Sequence, residues 1–135
     1  MAEVSIRRPV LERMIGHARR DYPLECCGLL SGRGRVIDEI VEATNQRQSR
    51  TQFAVPAREL VSFMRAARNS SKRLLGLYHS HPRSEARPSQ RDIAEFFYHG
   101  ASYWILSLKR RVPEVRCFRW DQTAFEETAF LIVDP

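Results

Sequence analysis

The segment RLLGLYHSHP, Arg73 to Pro82, constrains the fold more than any other stretch of the chain. It is apolar on both faces until it reaches two histidines, and a strand of that kind belongs inside a sheet that is covered on both sides. Pro82 then stops the ladder. Around this strand the chain alternates helical and extended patterns. Residues 9–20 put Val10, Leu11, Met14, Ile15 and Ala18 on one helical face, with Pro9 suited to the first turn and Tyr22-Pro23 ending the helix. CGLLSGRGR, from Cys27, predicts a short buried strand with RVIDEIVEA as its hairpin partner. Residues 44–52 have almost no apolar content and predict an exposed loop. Pro56 opens a second helix bearing Leu60, Phe63, Met64 and Ala67, and a third is expected over about Ser89 to Tyr98. SYWILSL, VRCFRW and AFLIV predict three further strands, with Trp104 and Trp120 in the core or on a sheet face. Helices alternating with strands imply an α/β fold: one layered domain over residues 1–135, with a mixed central sheet flanked by helices.

Composition narrows the class. With 43% hydrophobic and 28% charged residues the chain belongs with soluble globular domains and not with disordered tails. No apolar run approaches the roughly 20 residues that span a bilayer. MAEVSIRRPVLERM is charged throughout and lacks the apolar block of a secretory signal, so a cytoplasmic location and no membrane partner are expected. Cys26, Cys27 and Cys117 form no CxxC pair and no disulfide framework, and they read as reduced, packed thiols. The formal charge of +6 favours acidic partners. Its arginines are scattered, though partly bunched, without the interleaved aromatics of an RNA platform, so a solvated basic surface is expected and no nucleic-acid partner; if the charge has a function, it is the steering of an acidic protein substrate.

The chemistry begins at His79 and His81. Alternate residues of a strand share a face, so both imidazoles project together from Cα atoms roughly 6.5–7 Å apart, while Ser80 turns away. They fall at the carboxyl end of a central strand, where α/β sites form. Asp92 adds a third ligand if the loop 82–88 folds back. Two imidazoles and a carboxylate leave one tetrahedral position open for water, the pattern of catalytic zinc. Each fragment alone has an ordinary structural reading: Ser89-x-x-Asp92 after Pro88 is close to a capping box, and Glu25 before an apolar strand reads as an exposed acid. His17 and His99 fall in predicted helices away from the motif and read as surface or packing residues.

Taken together, Pro23-x-Glu25-x-Cys27-Gly28-Leu29-Leu30-x-Gly32, then His79-x-His81-Pro82, then Ser89-x-x-Asp92 resembles the JAMM (MPN-plus) metalloproteases, in particular their small stand-alone prokaryotic members. Gly76-Leu77-Tyr78 ahead of the histidines resembles the family's strand end, and Asn45 and Phe53 resemble its loop positions. Val55-Pro56 departs from the Asp-Pro that many relatives carry. The resemblance implies a cytidine-deaminase-like architecture and one zinc ion per chain, held by His79, His81 and Asp92. It implies Glu25 as general acid/base on the metal's water and Ser89 as oxyanion donor. It further implies cleavage of a peptide or isopeptide bond after the C-terminal Gly-Gly of a ubiquitin-like or sulfur-carrier protein. A short 44–52 loop favours processing of a carrier over editing of ubiquitin chains. Deubiquitinase-type cleavage and a metal-free MPN scaffold are the alternatives. A zinc nucleobase deaminase would need His-x-Glu and Pro-Cys-x-x-Cys, and neither is present. Arg83 and Arg87, between the ligands, read as solvated loop charges that are also placed to meet an acidic substrate.

Overall fold

The computed structural model describes residues 4–89, 100–121 and 123–134. The third helix expected over Ser89–Tyr98 therefore falls, past Ser89, outside the described residues, and Asp92 and His99 fall with it.

Among the described residues two helices accompany one eight-stranded sheet, the mixed α/β architecture expected. In chain order the elements are β1 (Val4–Arg7), α1 (Arg8–Asp21), β2 (Cys27–Arg33), β3 (Val36–Ala43), α2 (Ala57–Asn69), β4 (Arg73–His81), β5 (Ser102–Ser107), β6 (Glu114–Trp120), β7 (Phe125–Thr128) and β8 (Phe130–Val133). The sheet runs β7-β6-β5-β4-β2-β3-β1-β8, with parallel pairs at β4–β5, β1–β3 and β1–β8 and antiparallel pairs elsewhere. β4 lies centrally, as its two-sided apolar pattern requires.

Two strands depart from the sequence expectation. β1 is a short strand in a charged segment, yet Ile6 is fully buried. The stretch expected as one strand, AFLIV, is preceded by a separate strand, β7. β7 and β8 are parted by Ala129 alone, but they occupy opposite ends of the sheet. One residue spans only about 3.8 Å between Cα atoms, so the sheet must curl until its two edges meet. Phe130 lies across this junction, its ring centroid 4.7 Å from that of buried Trp104 in β5.

The two faces of the curled sheet are filled differently. Ile6, Leu30, Ile37, Tyr78, Trp104 and Cys117 pack with Val10, Met14 and Ala18 of α1. On the other face α2 packs on β4 and β2 through Phe63 and Ala67. A second cluster there joins Ala86, Tyr103, Ile105 and Phe118. Two glycines permit close approach on the α1 side. A Cβ on Gly28 would lie 2.2 Å from the Tyr78 ring, and one on Gly76 would lie 2.9 Å from Trp104 Nε1.

Candidate metal centre

β4 delivers both histidines to the α2 side of the sheet, because Tyr78 and Ser80 point to the other. His79 and His81 are each 3% exposed, and their Nε2 atoms stand 3.1 Å apart. His81 Nδ1 lies 2.7 Å from the Glu85 carbonyl, which only accepts, so this nitrogen carries the proton and Nε2 presents its lone pair. A carbonyl holding the outer nitrogen of a ligating histidine is the arrangement that fixes its tautomer. His79 is fixed differently: Phe53 stacks on it at 4.3 Å with 17° between the rings.

The antiparallel register places the third participant. Cys27 pairs with His79, and Cys26 and Ser80 continue the ladder: Ser80 N–H donates to Cys26 O at 3.0 Å, and Cys26 N–H donates to Ser80 Oγ at 2.8 Å. Glu25 lies two residues before Cys27, just ahead of β2. It is 4% exposed, not the exposed acid its local sequence suggested in isolation.

Asn45 secures Glu25. Its Nδ2 donates to the carbonyls of Glu25 (3.0 Å) and Gln52 (2.9 Å), while its Oδ1 accepts from the N–H groups of Arg47 (3.0 Å) and Ala54 (3.1 Å). Glu25 N–H donates to Ser49 O at 2.7 Å. The 44–52 loop is thus exposed over most of its length, as expected, but buries Asn45 as a clamp that also carries Phe53 to His79.

The loop after His81 is pinned as well. Ala86 is buried, Ser107 Oγ donates to Ser84 O at 2.6 Å, and Arg110 grips the Glu85 carboxylate with two bonds of 2.7 Å. Arg110 holds the Glu85 carboxyl down at about 2. Arg83, Arg87 and Ser89 are exposed. Asp92 lies outside the described residues, and among the described residues no three His, Cys, Asp or Glu side chains gather as a metal cage.

The donor set fits a zinc ion. Nitrogens at about 2.0–2.1 Å from a tetrahedral zinc lie about 3.3 Å from each other, close to the observed separation. Two imidazole lone pairs that near repel unless a proton or cation lies between them. Burial pushes the Cys26 and Cys117 thiols up to about 12 and that of Cys27 higher still, the behaviour of packed, unreactive thiols.

On the other face, His17 is a histidine whose place only the fold reveals. It is 4% exposed. Its Nε2 faces Asp21 Oδ2 at 3.3 Å, leaving Nδ1 to accept from the Tyr78 hydroxyl at 2.7 Å. Its place in the sequence, on the helical face of Met14 and Ala18, was the available signal.

Over residues 7–121 the chain matches the prokaryotic homologs of the JAB domain. The chain belongs to the Prok-JAB family. This JAB domain is 31% identical over 132 residues to a CysO-cysteine peptidase of Mycobacterium tuberculosis, covering 96% of the chain and 90% of that protein. It is 34% identical over 91 residues to a probable TtuB-protein conjugate cleaving protease of Thermus thermophilus, covering 67% of the chain and 61% of that protein. A solution structure of a Desulfitobacterium hafniense protein shares the JAB fold at a TM-score of 0.90 and 30% identity, covering 98% of the chain and 94% of that protein. Both relatives carry the names of bond-cleaving enzymes, one a peptidase and the other a probable protease of protein conjugates.

Proposed function

We propose that this JAB domain hydrolyses the peptide or isopeptide bond that follows the C-terminal Gly-Gly of a sulfur-carrier or ubiquitin-like protein. The observation carrying the reading is the buried convergence of His79 and His81, with buried Glu25 two residues ahead of Cys27, the register partner of His79. The names of the two relatives support the substrate class. The whole of residues 1–135 acts as one catalytic domain, in the cytoplasm.

His79, His81 and Asp92 would hold one zinc ion. When bound, such an ion supplies Lewis-acid chemistry, acidifying water and polarising the scissile carbonyl. Glu25 takes a proton from the attacking water and returns it to the leaving amine, a role suited to a carboxylate shielded from bulk solvent. Ser89 donates its hydroxyl hydrogen to the carbonyl oxygen as that atom gains charge. Phe53 and the Glu85 carbonyl hold the two imidazoles so that neither must reorganise during turnover. An extended Gly-Gly tail is thin enough to enter beside a sheet and to bond with its backbone.

Elemental analysis of the purified protein should find about one zinc per chain, and carrier proteins extended beyond Gly-Gly should be cut after the second glycine, as read by mass spectrometry. Glu25→Gln should keep the zinc and lose at least a hundredfold in rate, the lower range for a general base. A protein that takes up no zinc on reconstitution would sink the reading.

A further inference from the structure

The carbonyl that sets the proton of His81 belongs to Glu85, in the loop 82–88, which forms neither strand nor helix. Its position must therefore be held from outside β4. Three consecutive residues of the loop are fixed by one neighbour, β5 and the turn that leads from it into β6. Ser84 O accepts from Ser107 Oγ at 2.6 Å, and the same hydroxyl oxygen accepts from Lys109 N–H at 3.1 Å. Ala86 is buried beside Tyr103, Ile105 and Phe118. Glu85, between them, is clasped by Arg110, whose Nη1 and Nη2 donate to the two carboxylate oxygens at 2.7 Å each. Lys109 Nζ stands 3.7 Å from one of those oxygens.

Arg110 is exposed, and exposed ion pairs as a class contribute little to stability. What the two-bond fork adds is orientation, because a carboxylate held through both oxygens cannot turn. The backbone behind that carboxylate is the one that meets His81 Nδ1 at 2.7 Å. Glu85 O also accepts from Arg87 N–H at 2.8 Å, so a shifted loop keeps this carbonyl satisfied without His81. Released from the carbonyl, His81 is free to carry its hydrogen on Nε2, the nitrogen that faces His79 Nε2 at 3.1 Å. A ring nitrogen that bears hydrogen has no lone pair to give a metal.

We propose that Arg110 is a positioning residue for the metal centre: by clasping the Glu85 carboxylate it holds the Glu85 carbonyl on His81 Nδ1 and keeps the His81 Nε2 lone pair aimed into the site. The proposal rests on the zinc reading above for the use of that lone pair, and on the loop geometry alone for the tautomer. Charge alone predicts a different pattern. Removing a cation from the neighbourhood of a bound metal ion strengthens its binding, and removing a carboxylate weakens it. Breaking the clasp weakens it from either side.

The test compares wild type with Arg110→Gln, Glu85→Gln and the double variant. Arg116→Gln is the control, since it too removes a guanidinium bonded to carboxylates, those of Glu114 and Glu127, from neighbouring β6. Circular dichroism checks that each variant is folded. Zinc affinity, from competition with a chromogenic chelator, should fall about tenfold in each single variant, the lower end for the outer partner of a ligating histidine, and no further in the double. The control should stay within about twofold of wild type, as befits an exposed ion pair remote from the histidines. In the metal-free protein, nitrogen NMR of the imidazoles should find His81 as Nδ1–H in wild type and control, with an Nε2–H fraction in the three clasp variants. Unchanged or tighter zinc binding in Arg110→Gln overturns the proposal. So does a double variant weaker than both singles, or a His81 that stays Nδ1–H throughout. The tautomer is read without metal or turnover, so it decides the clasp even where the hydrolytic reading fails. Wild-type protein that binds zinc and cuts no conjugate sinks that reading alone.

Discussion

At His81 one hydrogen bond decides what the ring offers. With Nδ1–H held by the Glu85 carbonyl, Nε2 is an acceptor aimed at the Nε2 of His79. The rest of the residue-scale design follows the same logic of fixing polar atoms before substrate arrives. Asn45 satisfies two carbonyls and two N–H groups at once, so Asn45→Ala leaves them unpaired in a partly closed site. A loss of about 2–3 kcal/mol is expected in urea titration, together with a fall in kcat/KM as Glu25 and Phe53 loosen. Asp92→Ala separates two readings of that residue. If Asp92 is a ligand, zinc content falls; if it is only a helix cap, zinc stays and the melting temperature drops.

At the scale of elements, the site depends on how β2 and α1 hold β4 from the side away from the two histidines. Tyr78 lies flat over Gly28 and reaches His17. Gly28→Ala has no room, since the new carbon meets a buried ring at 2.2 Å, and a cost of about 1–3 kcal/mol is expected from the overpacked core. His17 adds a pH dependence. Burial lowers its pKa in the folded chain, against the opposing pull of Glu42 and Asp21, whereas Arg20 acts with burial. The unfolded chain therefore binds the proton more readily than the folded one. The His17 contribution is fully present above the unfolded value of about 6.5 and declines as pH falls below it toward the folded value. Thermal melts from pH 8 to pH 5 should show that decline, and His17→Gln should flatten it.

For the molecule as a whole, closure of the sheet contributes to stability, and the zinc proposed above would add to it. The curl brings β8 beside β1 and sets Phe130 on Trp104. Phe130→Ala should cost about 2 kcal/mol, less than a fully buried phenylalanine because the residue is only half-buried, with a melting temperature several degrees lower. A ligand that binds the folded state alone stabilises it by about 2.7 kcal/mol at a hundred times its Kd. Adding zinc to chelator-treated protein should accordingly raise the melting temperature in a concentration-dependent way, and Glu25→Gln should preserve that rise.

Much of this was legible in the residues. The two-sided apolar pattern of Arg73–His81 sufficed to make β4 central, and alternation along a strand sufficed to put His79 and His81 on one side, because both depend only on local geometry. Helices α1 and α2 followed from their spacing for the same reason. β1 and β7 did not, since VSIR and FEET are too short and too polar to announce themselves and become strands only by pairing with neighbours. Glu25 was named through motif resemblance, while its burial comes from contacts with the 44–52 loop, some twenty residues away. The clamp of Asn45 on Glu25 and the bond of His17 to Tyr78 likewise join residues distant in sequence. The sequence by itself determined which side chains were available and which face of its own element each would occupy. Only the tertiary structure decided which faces meet, because packing and sheet register are settled by contacts across the whole chain.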